Sequence, residues 1–336
     1  MRAILFLITV SALAAFACAK SPQRTKAVVL FGDSYTDQSR QHSIINGTFP
    51  GKDYQEVFPP DDIAGDGGVQ WPWYLGLYGS YTIWNYAVGG AVCSNDLTPT
   101  FGFPDVIGGQ ADWFIQDHIA QNGTLDMNPQ EFVVIVYIGT NDLGLGSFVT
   151  DDQPPTTSLA SIAECQLQVL RNLHALGARR FILNALVPLQ LTRLYAPTDA
   201  PTIYFPAPHN GTQWNKRIFN FVQTMNALLR GGVAALRDEW KGTDATVQMF
   251  DMYAFFTEMY ENPERFFNGS APANVTGHCH QCPDPNDFRQ CGIGDCTLDE
   301  RDSYMWWDEL HPSEQTGRNL AEEIFKALNG RSKFLS

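Results

Sequence analysis

Basic residues are scarce. The 336-residue chain carries 22 Lys and Arg against 36 Asp and Glu, a formal charge of -14 at pH 7. Such a field repels phosphate backbones and anionic bilayers, so nucleic acid and membrane surfaces are excluded as expected partners. It also disfavours a strongly acidic polymer as substrate. Long apolar runs are missing too. The longest, Ala3 to Ala17, is too short to span a bilayer, and no stop-transfer pattern follows it. No repeat, linker or low-complexity tract divides the chain. Charged residues make up only 17% and hydrophobic ones 44%, which leaves ample material for a core and no signature of disorder.

What is present at the start reads as a targeting segment. Met1-Arg2 supplies the positive end, an apolar stretch follows, and Ala17-Cys18-Ala19 forms a small-residue cleavage site before Lys20. Residues 1–19 are therefore expected to be a signal peptide, and residues 20–336 a single secreted, monomeric domain. Five N-x-S/T sequons, at Asn46, Asn122, Asn210, Asn268 and Asn274, agree with passage through a glycosylating secretory pathway. Cysteine usage points the same way. Beyond Cys18 there remain Cys93, Cys165, Cys279, Cys282, Cys291 and Cys296, an even set suited to disulfides in an oxidising compartment. The run His278-Cys279-His280-Gln281-Cys282 has spacing that zinc could use, but exported thiols normally pair with each other. Neither a metal nor a cofactor is expected. The simplest connectivity joins Cys93 to Cys165 and pairs the last four locally.

The pattern of elements predicts an α/β fold. Ala27 to Phe31 is an apolar strand; Thr82 to Ala87, Phe132 to Ile138, Arg180 to Leu186 and Thr246 to Asp251 supply four more. The Phe132–Ile138 run is apolar throughout, as in a parallel strand buried on both faces. Helical periodicity fits Asp112 to Ala120, Thr157 to Leu176 and Gln213 to Trp240, the last with a break at Gly231-Gly232. A final helix is expected from its cap at Ser313. Strands alternating with helices imply a three-layer α/β/α, doubly wound parallel sheet of about five strands. The glycine-rich stretch Gly65-Asp66-Gly67-Gly68 and the cysteine segment 263–303 read as loop insertions.

Ser34 follows the first strand in Gly32-Asp33-Ser34-Tyr35, at the rim where such sheets bind ligands. A serine hydroxyl becomes a nucleophile only with a base in reach and a group to orient that base. Of the seven histidines, His311 stands apart in Asp308-Glu309-Leu310-His311. A carboxylate three residues earlier can curl back to one ring nitrogen and leave the other for the serine. Asp33, Asp37 and Asp142 suit local turn-holding bonds rather than chemistry.

Gly32-Asp33-Ser34, Gly90, Gly139-Thr140-Asn141-Asp142 and Asp308-x-x-His311 stand in the order of the four blocks of the SGNH, or GDSL, hydrolase superfamily, which the chain resembles from Phe31 onward. Asn85-Tyr-Ala-Val-Gly-Gly90 and the cysteine-containing secreted context are similar to the fungal acetylesterases of carbohydrate esterase family 16. The resemblance implies Ser34 as nucleophile, His311 as base and Asp308 as its orienter. It implies the Ser34 N–H, the Gly90 N–H and the Asn141 side chain as oxyanion donors, with Gly89 the other glycine available. Tyr35 departs from the leucine of the family name, and the G-x-S-x-G elbow of the α/β-hydrolase lipases is absent around Ser34. The expected substrate is a small ester, above all acetylated carbohydrate from hemicellulose. A lipase or lysophospholipase of the same superfamily is the alternative, and a non-catalytic sugar binder is the other. Trp306 and Trp307, beside Asp308, are candidates to line the acyl pocket or stack a sugar.

Overall fold

The computed structural model describes residues 25–48, 64–99, 101–280 and 296–336. The expected signal segment, Cys282 and Cys291 therefore lie outside the described residues. Strand β1 is Ala27–Gly32, followed by α1 (Arg40–Ile45), α2 (Trp71–Gly79), β2 (Thr82–Asn85), α3 (Ala111–His118) and β3 (Phe132–Tyr137). Then come α4 (Thr140–Leu143), α5 (Leu159–Ala175), β4 (Arg180–Asn184), α6 (Gly211–Glu239), β5 (Thr246–Phe250) and α7 (Met252–Glu261). Strands β6 (Asn274–His278) and β7 (Tyr304–Trp306) precede α8 (Glu314–Leu328).

Five strands form one parallel sheet in the order β2-β1-β3-β4-β5. Right-handed crossovers place α2 on one face and α3, α5 and α6 on the other. Helix α8 returns to pack on α2, while α5 packs on α6. Burial follows from position. Val28 to Phe31 in β1 are fully buried, and so is every residue of β3, because both strands have sheet neighbours and helices on each side. Edge strand β5 instead alternates exposed and buried residues. Its outer edge is covered by main-chain bonds between Met249 and Ser336 and from the Asp251 N–H to the Phe334 carbonyl. A covered edge offers no template for pairing with another chain.

Two differences from the sequence reading have physical causes. Helix α6 runs through Gly231-Gly232 without a break. A Cβ at Gly232 would fall 2.2 Å from Leu167 Cδ1 of α5, so the glycine serves close helix–helix approach rather than termination. The stretch 263–303 is not all loop. It contributes β6, which pairs in parallel with β7 to form a second, two-stranded sheet. Two disulfides are seen among the described residues, Cys93–Cys165 and Cys279–Cys296. No described helix is long and apolar enough to cross a membrane. Asn46, Asn122, Asn210 and Asn268 are exposed, while Asn274 on β6 is half-buried.

Candidate active site

Crossovers leave β1 and β3 in opposite directions, so their carboxyl ends open a crevice at the reversal point of the sheet. Ser34 sits just past β1. The end of that strand is clamped by the buried Gln110, which accepts from the Gly32 N–H at 3.0 Å and donates to its carbonyl at 2.8 Å. Asp33 turns the chain by accepting from the Tyr35 N–H at 3.0 Å. Burial pushes Asp33 up to about 7, against the hydrogen bond from Tyr35 and the charge of His311, so it is a turn-former that resists ionising. Asp37 accepts from the main-chain N–H groups of Ser39, Arg40, Gln41 and Gly89.

That last bond distinguishes the two glycines. The Gly89 N–H is committed to Asp37 at 2.7 Å, whereas the Gly90 N–H has no acceptor among the described residues. Gly90 also has φ +75°, a left-handed backbone that side chains disfavour, and a Cβ there would meet Phe103 at 2.8 Å. Across the crevice, Asn141 at the start of α4 donates from Nδ2 to the Ala91 carbonyl at 2.8 Å. An amide nitrogen carries two hydrogens, so one remains for a ligand. Asp142 binds the Cys93 N–H at 3.1 Å and the Thr98 hydroxyl at 2.8 Å. Burial raises Asp142 to about 6, with those two bonds opposing it. The Cys93–Cys165 bridge then ties the same segment to α5.

The candidate base arrives from the second sheet. After β7, the chain makes a tight loop closed by the Trp307 N–H to the His311 carbonyl at 2.8 Å and a bridge between Trp306 and Pro312. Inside it, the buried Asp308 accepts through Oδ1 from the N–H groups of Leu310 (2.8 Å) and His311 (2.6 Å). Its Oδ2 lies 2.9 Å from His311 Nδ1, and His311 Nε2 lies 2.8 Å from Ser34 Oγ. Burial pushes Asp308 up, but the His311 charge and hydrogen bonds outweigh it and hold the carboxyl below the usual range. Burial pushes His311 down, yet Asp308, with Asp33 and Asp66 behind it, raises it above an ordinary imidazole. The arrangement can take a proton from Ser34 and hold the resulting cation.

Several supporting residues carry no local signal in the sequence. The Tyr204 hydroxyl donates to Asp308 Oδ2 at 2.6 Å, from a loop 104 residues away. Tyr35 donates to the Leu310 carbonyl at 2.7 Å. Gly65 lies against the imidazole, where a Cβ would come 3.0 Å from His311 Cδ2. Its neighbour Asp66 is raised to about 7 by burial, with the Gly68 N–H bond opposing and the Glu314 charge adding.

Ser34, Gly90, Asn141 and His311 line one cavity of about 420 Å³, walled further by Phe103, Leu194, Tyr195 and Tyr204. Trp306 and Trp307 are not among its lining residues. They are 1% and 2% exposed: Trp306 donates to the Val275 carbonyl at 3.0 Å, and Trp307 packs on His280 and against Gly67. Adjacency to Asp308 misleads because Trp306, at the end of β7, and Trp307, in the loop after it, both turn their indoles into the protein. Cys279 and Cys296 are joined to each other, and no three His, Cys, Asp or Glu side chains gather as metal ligands among the described residues.

A model of the GDSL-like lipase/acylhydrolase family matches residues 28–324. An acetylesterase of Hypocrea jecorina is 30% identical over 99% of this chain and 98% of its own length. An acetylesterase of Thermothelomyces thermophilus is 25% identical, covering 91% and 89%. Among solved structures, a catalytic mutant of an acetylxylan esterase from Geobacillus stearothermophilus aligns over 91% of this chain and 96% of its own, at 14% identity and a TM-score of 0.44.

Proposed function

Because the chain belongs to the GDSL-like lipase/acylhydrolase family, we propose that it is a secreted serine esterase that removes acetyl groups from carbohydrate. Ser34 Oγ attacks the ester carbonyl as His311 Nε2 takes its proton. The oxyanion forms against the Ser34 and Gly90 N–H groups and the free amide hydrogen of Asn141. As the tetrahedral species collapses, the acyl–oxygen bond breaks and His311 gives the proton to the leaving alcohol. Water then repeats the sequence on the acyl-enzyme and releases the acid.

One observation carries this reading: the unbroken line Ser34–His311–Asp308, with contacts of 2.8 and 2.9 Å. The name acetylesterase borne by the two fungal relatives supports the acyl group. The two disulfides and the four exposed sequons support secretion. A second reading, hydrolysis of longer acyl chains, is favoured by the apolar lip of Ile45 and Phe101, 54% and 55% exposed beside the cavity. Acid release from acetylated xylo-oligomers, intact acetylated xylan and an octanoyl ester distinguishes them. Faster cleavage of octanoyl than acetyl esters would overturn the acetylesterase reading. Ser34→Ala is expected to reduce hydrolysis by roughly 10³-fold or more. Unchanged hydrolysis would remove Ser34 from the mechanism, and no hydrolysis by the native protein would leave a sugar binder.

A further inference from the structure

We infer that Tyr204 is a positioning residue whose hydroxyl, by donating to Asp308, restrains the basicity of the Asp308–His311 pair and keeps His311 neutral to lower pH. This rests on the reading of that pair as the catalytic base. Asp308 has a full set of partners: two main-chain N–H groups on Oδ1, and His311 and Tyr204 on Oδ2. The Tyr204 oxygen also lies 3.1 Å from His311 Nδ1. Since Nδ1–H must donate to Asp308 for Nε2 to accept from Ser34, the phenolic hydrogen has only the carboxylate to point at. Burial and the neighbouring Asp308 charge push the Tyr204 phenol well above its ordinary value, so it stays a donor at every working pH.

The loop that carries Tyr204 is fastened to the residue after Asp308. Glu309 accepts from the Ile203 N–H at 2.6 Å through its side chain and from the Leu194 N–H at 2.8 Å through its carbonyl. Tyr204 also lines the cavity. A neutral donor on a carboxylate spreads its charge and weakens its pull on a neighbouring cation. Other groups act on the pair from every side. Asp33, Asp66 and Tyr35 face His311, while Glu309 and His280 face Asp308. None of them is altered by Tyr204→Phe, which keeps the ring and removes only the hydroxyl.

The experiment titrates His311 by NMR in protein with labelled histidine, the signal assigned by its loss in His311→Gln. In Tyr204→Phe the His311 pKa is expected to rise by about half a unit. The acid limb of kcat/KM moves with it, so activity at pH 6 falls about threefold while activity at pH 8 stays within about twofold. Loss of activity by the same factor at every pH would assign Tyr204 a packing role and overturn the inference, as would an unmoved His311 titration. Tyr204→Leu, read by the same titration, replaces the phenylalanine variant if that one does not fold. The titration requires no turnover, so retained hydrolysis in Ser34→Ala would sink the proposed mechanism without touching this result.

Discussion

The proposed nucleophile side of the cavity and the proposed base side are held by different kinds of structure. Ser34, Gly90 and Asn141 follow the ends of β1, β2 and β3, braced by Gln110, Asp37, Asp142 and the Cys93–Cys165 bridge, all of them buried. Asp308 and His311 sit on a tight loop from a two-stranded sheet, and their neighbours Gly65, Tyr204 and Tyr35 come from three other segments. On the proposed mechanism the first arrangement fixes donors where charge would develop. The second keeps a proton carrier oriented within a shell of loops and carboxyl groups. Preorganised donors cost nothing to rearrange during reaction, so rigidity belongs on the oxyanion side.

Substitutions test that contrast. Asn141→Ala is expected to lower kcat by about 10²–10³, the usual loss for one oxyanion donor, with unfolding temperature little changed. A loss below tenfold would mean that the braced side matters less than its architecture suggests. Gly65→Ala places a Cβ against the imidazole edge, where the ring must give by a few tenths of an ångström. A misplaced general base is expected to lower kcat by about 10–10² while KM holds. An unaffected kcat would show that the shell tolerates more than its packing implies.

The smallest effect is on stability, and its sign follows from the raised groups. Burial lifts Asp33, Asp66 and Glu309 to about 7 in the fold, above the unfolded range near 4. Their native forms bind more protons than the unfolded chain between those limits. Stability is therefore fully present below about pH 4 for these groups and declines as pH rises through about 7. His311, also raised, adds to the decline. Asp308, lowered, opposes it at the acid end, and His280, lowered to about 4 by burial, opposes it up to about pH 6.5, one group against several. Calorimetric unfolding temperatures should be higher at pH 5 than at pH 8, and Asp66→Asn should flatten the slope. A slope of opposite sign would exclude these carboxyls as its source.

Legibility divides along the same line. Strands β1 and β3 announce themselves as unbroken apolar runs because every side chain in them is buried. Ser34 and Asn141 follow those runs directly, so position along the chain predicts position in the site. Asp308 and His311 are readable because three residues suffice for the carboxylate to reach the ring. Tyr204 and Gly65 were not readable. Each meets its partner across a separation of more than 100 residues, and neither a lone tyrosine in a proline-rich loop nor a glycine in a turn has a periodicity to betray it. Trp306 and Trp307 fail for the converse reason. Sequence proximity to Asp308 is real, but strand alternation and the tight loop decide which way an indole points.

The crowd of protonatable carboxyls behind His311 has a consequence for an enzyme whose product is an acid. As product accumulates in an unbuffered medium, protons fill His311 and its carboxyl neighbours together. On the proposed mechanism turnover would then stop because His311 is occupied, while the same protons would tighten the fold. Acidification would park the protein in a dormant, durable form, and neutralisation would return it to work without refolding.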